Sequence, residues 1–358
     1  MPVRGPRRKR RYLPNWKGDR ISVPLVQLHS RPASYLKEAP PPPLMPSLRL
    51  LRLSVTDLCN FRCRYCMPLE GVSEPLPCGP LSAECLTSLV AWLSVHAGIN
   101  RIRLTGGEPL MRPGVEHLIE ALSSLPAIRE VSLTTNGSLL SKMAWNLKAA
   151  GLSRVNISLD SLDRERFKEV TRGGDLDRTR AGIKAAQAAG LTPIKLNTVL
   201  QRSTWRQEVP RLLDYAAESG FEIRFIELMR TGTERAWCES EFVSVDEVCD
   251  GLSTKIVPVE EQTQVPARRT LLNWHGSIVN VGWITPRSHP FCSRCERLRM
   301  DARGQLRRCL MDPKTFDLPR ALATMNGLAA KQEFQSYIAG KFPPQAMDSS
   351  FAMSQIGG

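Results

Sequence analysis

No run in the 358 residues reaches the roughly 18 consecutive apolar positions that a membrane-spanning helix needs. No apolar stretch follows the basic N-terminal segment as a secretory signal requires. These two absences argue for a cytoplasmic protein without a membrane partner. Acidic residues are in deficit: 35 Asp and Glu stand against 49 Lys and Arg, a net charge of +14. Residues 1–38 hold ten basic and two acidic residues, so +8 of that excess sits there. The smaller excess in the body suits an anionic small substrate as well as nucleic acid. The run Arg7 to Arg11 and the prolines Pro40 to Pro43 mark residues 1–47 as a basic, Pro-rich extension that builds no core. Nucleic acid is therefore not the expected partner of the folded body.

Ten cysteines are present, and with no export signal they read as metal ligands and buried thiols, not disulfides. Cys78, Cys85, Cys238 and Cys249 lack ligand spacing and read as structural. The other six form two groups, and each group lacks a fourth cysteine. Cys59, Cys63 and Cys66 stand at C-x3-C-x2-C spacing, with Tyr65 before the last of them. Thiolates favour iron–sulfur clusters or zinc. Zinc and ordinary ferredoxin-like clusters take four protein ligands. Three thiolates on a four-iron cluster leave one iron open to a small molecule. Cys292, Cys295 and Cys309 repeat the theme at C-x2-C-x13-C spacing, and His289 is the nearby candidate that would complete a structural zinc site.

Between residues 49 and 230 short apolar runs alternate with helical segments. Strands are expected at Leu50–Val55, Arg101–Leu104, Glu130–Thr135, Arg154–Leu159, Ile194–Leu200 and Glu222–Leu228. Helices are expected at Ser82–Ala97, Gly114–Ser124, Leu139–Ala150, Asp175–Ala189 and Gln207–Ser219, with glycines 98, 151, 190 and 220 closing four of them. Six βα units predict an α/β fold, a partial (β/α)6 barrel open on one side. Residues 231–316 break this rhythm. Leu271–His275 and Ser277–Ile284 read as antiparallel strands beside the second cysteine group, and 317–340 as helical. The expected division is a flexible 1–47, a barrel at 48–230, an α+β extension at 231–340 and a tail at 341–358.

Functional groups of parallel barrels gather at the C-terminal strand ends. The first strand runs into the cysteine loop, the second into Thr105-Gly106-Gly107-Glu108-Pro109 and the third into Thr134-Thr135-Asn136-Gly137. Ser158 and Asp160 follow on the fourth, Lys195 and Asn197 on the fifth, and Arg224, Glu227 and Met229 on the sixth. The glycines let backbone approach a ligand, and exposed amides there suit an amino acid's charged groups. Arg52, Arg103, Lys195 and Arg224 interrupt strands that a parallel sheet normally keeps apolar. Arg297 and Arg299 share one strand face. Such cations suit a phosphate-rich ligand.

The stretches LRLSVTDLCNFRCRYCMP, IRLTGGEPLMRP, LTTNG, AGLSRVNISLDSLD, KLNTVL, EIRFIELM and FCSRCERLRM together resemble the GTP 3′,8-cyclase family. These are radical S-adenosylmethionine (SAM) enzymes that open molybdenum cofactor biosynthesis. The resemblance covers residues 49–316 and the last six residues. It implies two [4Fe-4S] clusters, one on Cys59, Cys63 and Cys66 and one on Cys292, Cys295 and Cys309. It implies SAM contacts at Tyr65, Gly107, Ser158 and Met229. It implies GTP contacts at Arg52, Arg103, Thr134, Lys195, Arg297, Leu298 and Arg299, with Arg297, Arg299 and the pair Gly357-Gly358 needed for activity. The implied reaction starts with a 5′-deoxyadenosyl radical taking hydrogen from C3′ of GTP. The C3′ radical then attacks guanine C8, giving 3′,8-cyclo-7,8-dihydro-GTP. A cyclic pyranopterin monophosphate synthase then takes the product, and an electron donor that the sequence does not identify supplies reducing power. Monomer and homodimer both stay open. Three departures stand out: a longer N-terminal extension, a weak match over 317–350 without the family's basic, His-containing stretch, and Arg101 where the family often has Lys. Another twin-cluster radical SAM enzyme, such as a peptide or sulfatase maturase, is the alternative, although its auxiliary clusters use more cysteines. A zinc- or cluster-bearing nucleic-acid binder is the non-enzymatic alternative.

Overall fold

The computed structural model describes residues 48–71, 79–231, 234–252, 267–292 and 295–341, together with the backbone of short segments at 13–14, 20–21, 256–258 and 348–349. The basic run, the proline tract, Cys78 and Gly357-Gly358 lie outside the described residues.

Six strands alternate with helices in chain order. They are β1 (Leu50–Ser54), α1 (Ala83–Ala97), β2 (Arg101–Thr105), α2 (Val115–Ser123), β3 (Glu130–Thr135) and α3 (Leu140–Ala149). Next come β4 (Arg154–Ser158), α4 (Arg164–Thr171), α5 (Leu176–Ala188), β5 (Lys195–Val199), α6 (Trp205–Ser219) and β6 (Glu222–Ile226). The six strands pair in parallel and in sequence, and residues from all of them line one cavity, so the sheet curls into the expected partial barrel. Local chemistry sets the helix ends. Ser82, Asp163 and Asp175 cap α1, α4 and α5 by accepting from backbone N–H groups. Gly98 and Gly220 close α1 and α6 in the left-handed region. Helix α4 escapes the sequence pattern because Phe167 and Val170 are its main apolar anchors in a polar stretch.

The remaining elements are α7 (Arg235–Ser240), α8 (Val245–Gly251), β7 (Arg268–Trp274), β8 (Ser277–Ile284), β9 (Arg297–Met300), β10 (Gln305–Arg307), β11 (Phe316–Asp317), α9 (Leu318–Thr324) and α10 (Gly327–Ala339). The expected antiparallel pairing holds between β7 and β8. The expectation is incomplete, however, because β8 also joins β6 in parallel and β9 joins β1 in parallel. The result is one 12-stranded sheet with six barrel strands at its centre. Apolar contacts on the outer face explain the docking of β8: fully buried Trp283 stacks on Phe225 at 5.4 Å, and its indole N–H donates to Thr270.

Alternation within each strand separates two environments. Leu51, Leu53, Ile102, Leu104, Val155, Ile157, Leu196, Ile223 and Phe225 face outward into the helix layer and are wholly buried. Arg52, Arg103, Thr134, Asn156, Asn197, Arg224, Arg297 and Arg299 face the cavity. The barrel therefore has an apolar exterior core and a polar interior.

Helix α5 touches the loop after β3 through Gly182, where an added Cβ would lie 2.0 Å from the Gly137 carbonyl oxygen. Alanine normally favours a helix over glycine by about 1 kcal/mol. Gly182→Ala should instead lower the melting temperature, measured by anaerobic thermal unfolding; a rise would show that this contact does not constrain the helix.

Candidate active site

The first thiol set follows β1, and the loop bearing it is fastened on every side. The amides of Arg62 and Arg64 donate to the carbonyls of Thr171 and Val170 at the end of α4. Phe61 packs edge-on against Phe167, with ring centroids 6.0 Å apart. Asn60 bonds Ser138 and Asn136 beyond β3. The Tyr65 hydroxyl donates to Asp160 at 2.6 Å, and the same carboxylate accepts from the Val199 amide. Burial pushes the Cys59 thiol up to about 11, and raises Cys63 well above the usual thiol value with Asp160, Cys66 and Cys59 adding to it. Such thiols need a metal centre to be held as thiolates.

The double glycine packs differently from expectation. A Cβ on Gly106 would lie 2.2 Å from the Thr56 carbonyl oxygen, and one on Gly107 would lie 2.1 Å from that of Leu58. The Gly107 and Glu108 amides donate to these same carbonyls. The close approach that requires glycine is thus to the cysteine loop, and those two amides are already engaged there. Buried Glu108 then ties the turn to the next strand, accepting from the Leu110 and Asn136 amides and the Thr135 hydroxyl. Burial raises its carboxyl from 4.5 to about 7.

The second thiol set enters from the opposite mouth. Cys295 stands two residues before β9, which runs parallel to β1, so it lies where β1 begins. Cys59–Cys66 lie where β1 ends, and the five-residue strand between spans roughly 16 Å. Both thiol sets line a single cavity of about 310 Å³. Burial raises the Cys295 thiol, but Arg297 and Lys341 outweigh it and bring the group down to about 7. His289 does not join the set: its ring lies 2.6 Å from Asp246 and it does not line the cavity. Among the described residues no three Cys, His, Asp or Glu side chains form a group that could hold one metal ion. His289 therefore does not supply the second set with the fourth ligand that a structural zinc takes.

Between the two sets runs a row of cations. Arg299, Arg52 and Arg103 are register partners across β9, β1 and β2. Burial and neighbouring arginines lower all three, Arg103 to about 9 and Arg299 to about 10. Arg224 joins from β6, where Gly282 on β8 gives its side chain room: a Cβ there would lie 3.0 Å from Arg224 Cγ. Arg103 Nε, Thr134 Oγ1 and Asn197 Oδ1 are buried without a hydrogen-bond partner. Buried polar atoms are rarely left so, and these face the cavity.

Tyr65, Gly107, Ser158, Met229, Arg52, Arg103, Thr134, Arg297, Arg299 and all six cysteines line the cavity. Two expected contacts do not. Leu298 is fully buried, on the opposite strand face from Arg297 and Arg299. Lys195 begins β5 and donates to Glu222 at 2.8 Å, a carboxylate that also accepts from Arg224 at 2.6 Å. In the structure Lys195 thus sits beneath Arg224, paired with the carboxylate that Arg224 also uses. Residues that the sequence reading passed over also line the site: Asn156, Arg308 and Lys341. The polar–apolar alternation of RVNIS signals Asn156, but nothing local signals the other two.

Glu227, one of the singled-out strand-end residues, is a strut. It is 1% exposed and accepts from the amides of Val245, Arg287 and Ser288 and from the Ser288 hydroxyl. It thereby ties the end of β6 to the segment that leads into Cys292.

The sheet, the three-thiol loop after its first strand and the glycine turn beside it define a radical SAM protein. A family model described as the Radical SAM superfamily matches residues 53–216, and one described as Molybdenum Cofactor Synthesis C matches residues 221–345. Over 321 residues the chain is 38% identical to the GTP 3′,8-cyclase of Alkaliphilus metalliredigens, covering 87% of this chain and 98% of that protein. It is 42% identical over 320 residues to the enzyme of that name from Moorella thermoacetica, with the same coverage. GTP 3′,8-cyclase 1 of Pseudomonas aeruginosa is 45% identical over 274 residues, 76% of this chain and 82% of that one. The chain belongs to the GTP 3′,8-cyclase family. Among solved structures, Streptococcus suis SuiB bound to precursor peptide SuiA aligns with a TM-score of 0.58 at 14% identity, covering 82% of this chain and 68% of that chain. That likeness concerns the fold alone.

The raised Glu108 carboxyl predicts a pH effect. Its folded value lies above 4.5, so folding favours the protonated form. The contribution to stability is complete below pH 4.5 and is lost as pH rises through about 7. Glu108→Gln should flatten the melting temperature across that window. An unchanged slope would assign the pH dependence to other groups.

Proposed function

We propose that this chain is a GTP 3′,8-cyclase, joining C3′ of the ribose to C8 of guanine within a barrel closed at each mouth by an iron–sulfur cluster. The observation that carries this reading is the row Arg299, Arg52 and Arg103, buried in a cavity with a thiol set at each end. Three guanidinium groups abreast repel one another and attract a polyanion. A triphosphate suits such a row, and the nucleoside then extends toward the partnerless Thr134 and Asn197 oxygens.

The residues present fit the implied groups. Cys59, Cys63 and Cys66 would hold one [4Fe-4S] cluster, and Cys292, Cys295 and Cys309 the other. Tyr65, Gly107, Ser158 and Met229 surround the space beside the first set and would hold SAM. When bound, the first cluster with SAM supplies a 5′-deoxyadenosyl radical. The protein's own part is to orient and to shield. Arg52, Arg103, Arg297 and Arg299 fix the phosphates, while Lys195 and Glu222 hold Arg224 from below. Phe61, Ile226, Ile284, Pro286 and Phe291 line the cavity with apolar surface that keeps water and stray hydrogen donors away.

The division into extension, barrel, C-terminal extension and tail is part of the same proposal, as is cytoplasmic placement. No helix among the described residues is long and apolar enough to cross a membrane. A downstream cyclic pyranopterin monophosphate synthase and a separate electron donor complete the proposed setting. For Gly357-Gly358, support comes from Asp348–Ser349, which pairs with Arg230–Thr231 beside Met229. The nine residues from there to Gly358 reach at most about 30 Å, enough to enter the cavity.

The direct test is anaerobic turnover with GTP, SAM and a reductant, read by mass spectrometry. The expected product is 3′,8-cyclo-7,8-dihydro-GTP. SAM cleavage without any cyclised nucleotide would contradict the proposal and favour the peptide-maturase reading. In calorimetry, Arg299→Ala should weaken GTP binding by about 1.5–3 kcal/mol, the worth of one charged hydrogen bond, and leave SAM binding unchanged. Equal weakening of both ligands would make Arg299 structural.

A further inference from the structure

The second thiol set carries an asymmetry that its spacing does not reveal. Cys295 Sγ accepts from Arg297 Nε at 3.4 Å and from Lys341 Nζ at 3.6 Å. Cys309 Sγ instead accepts from the Met311 backbone amide at 3.5 Å. Lys341 comes from far along the chain, and its approach is built by packing. It follows α10, whose fully buried Phe334 meets Trp92 of α1 and Phe316 of β11. The Lys341 amide donates to the Ile338 carbonyl, and its ammonium also donates to the Arg308 carbonyl. Arg308 is itself held: it pairs with Asp312 at 2.5 Å, donates to the Tyr337 carbonyl and lies 4.9 Å over the Tyr337 ring. Two anchors independent of the thiols thus aim one ammonium at one sulfur.

We propose that Lys341 tunes the iron–sulfur cluster held by Cys292, Cys295 and Cys309, raising its reduction potential by donating a charged N–H to Cys295 Sγ. The inference rests on the two-cluster reading and adds a residue that neither the ligand spacing nor the substrate requires. The physical reason is general. A cluster gains negative charge on reduction, so a nearby cation and an N–H···S bond stabilise the reduced form more than the oxidised form. Net charge and hydrogen bonds to sulfur are among the determinants of cluster potentials, and residues beyond the ligands tune a metal centre in this way. Arg297 acts on the same sulfur but is also one of the proposed phosphate ligands; Lys341 borders the same cavity with its ammonium already donated to Cys295 Sγ and the Arg308 carbonyl, so it is the residue that tests tuning.

The test is a potentiometric titration followed by electron paramagnetic resonance, on reconstituted wild type and on Lys341→Met, Lys341→Gln and Lys341→Arg. The second cluster's signal is assigned from a variant whose Cys59, Cys63 and Cys66 are alanine. Its midpoint should move to lower potential in the methionine and glutamine variants and stay near wild type in the arginine variant. The first cluster should not move. The glutamine variant keeps a polar chain of similar length and carries the test if methionine disturbs folding. A wild-type midpoint in a fully loaded glutamine variant would overturn the proposal. So would an equal shift of both clusters, or loss of the second cluster from both neutral variants, since either makes Lys341 a general support. A wild-type protein with no second cluster would instead sink the two-cluster reading itself.

Discussion

The structure depends on a repulsion. Arg299, Arg52 and Arg103 stand side by side on adjacent parallel strands, inside a barrel, at the strand spacing of about 4.8 Å. Like charges directly opposite each other on a sheet destabilise it. The fold tolerates them because the outer face of the same strands is wholly apolar and packed against helices, as Leu51, Leu53, Ile102 and Leu104 show. Other cations of the barrel are neutralised within the protein: Arg154 pairs with Glu130, and Arg224 and Lys195 pair with Glu222. Part of the interior charge is thus paired within the protein, and the row Arg299, Arg52 and Arg103 adds three guanidinium groups facing one cavity, a lining suited to a polyanionic ligand.

The two halves of the chain serve that cavity jointly. Strand β9 brings Arg297 and Arg299 alongside β1, so the row is assembled from both halves by sheet pairing. Glu227 binds the end of β6 to the segment entering Cys292. Helix α10 carries Lys341 back to Cys295. Each mouth of the barrel therefore receives its thiols on a segment whose geometry the sheet and its buried polar ties dictate.

Much of the barrel was legible because its strands alternate and its helices end in glycine. All six expected strands are present, with ends differing by up to two residues. The cysteine spacings marked both thiol sets for the same reason: ligand spacing is a local property. What escaped was non-local. The parallel pairing of β8 and β9 with the barrel edges depends on partners more than 50 residues away, which no local pattern records. Lys195 looked like an anion ligand in its own strand, but Glu222 on the next strand takes its charge. Glycines 106 and 107 line the cavity as their pattern suggests, but the close contact that forbids a side chain there is with the loop after β1, which no local pattern records. Lys341 lies just after a helix in a stretch that matches the family weakly, and three-dimensional packing alone reveals its target.

The central claim is that a polyanion-binding cavity lies between two three-thiolate iron–sulfur clusters. The most direct measurement is iron and sulfide content after anaerobic reconstitution, in the wild type and in a variant with Cys292, Cys295 and Cys309 changed to alanine. Two four-iron clusters predict about eight irons and eight sulfides per chain, falling to about four of each in the variant. A wild type that holds only about four irons, or binds zinc at the second set, would contradict the account.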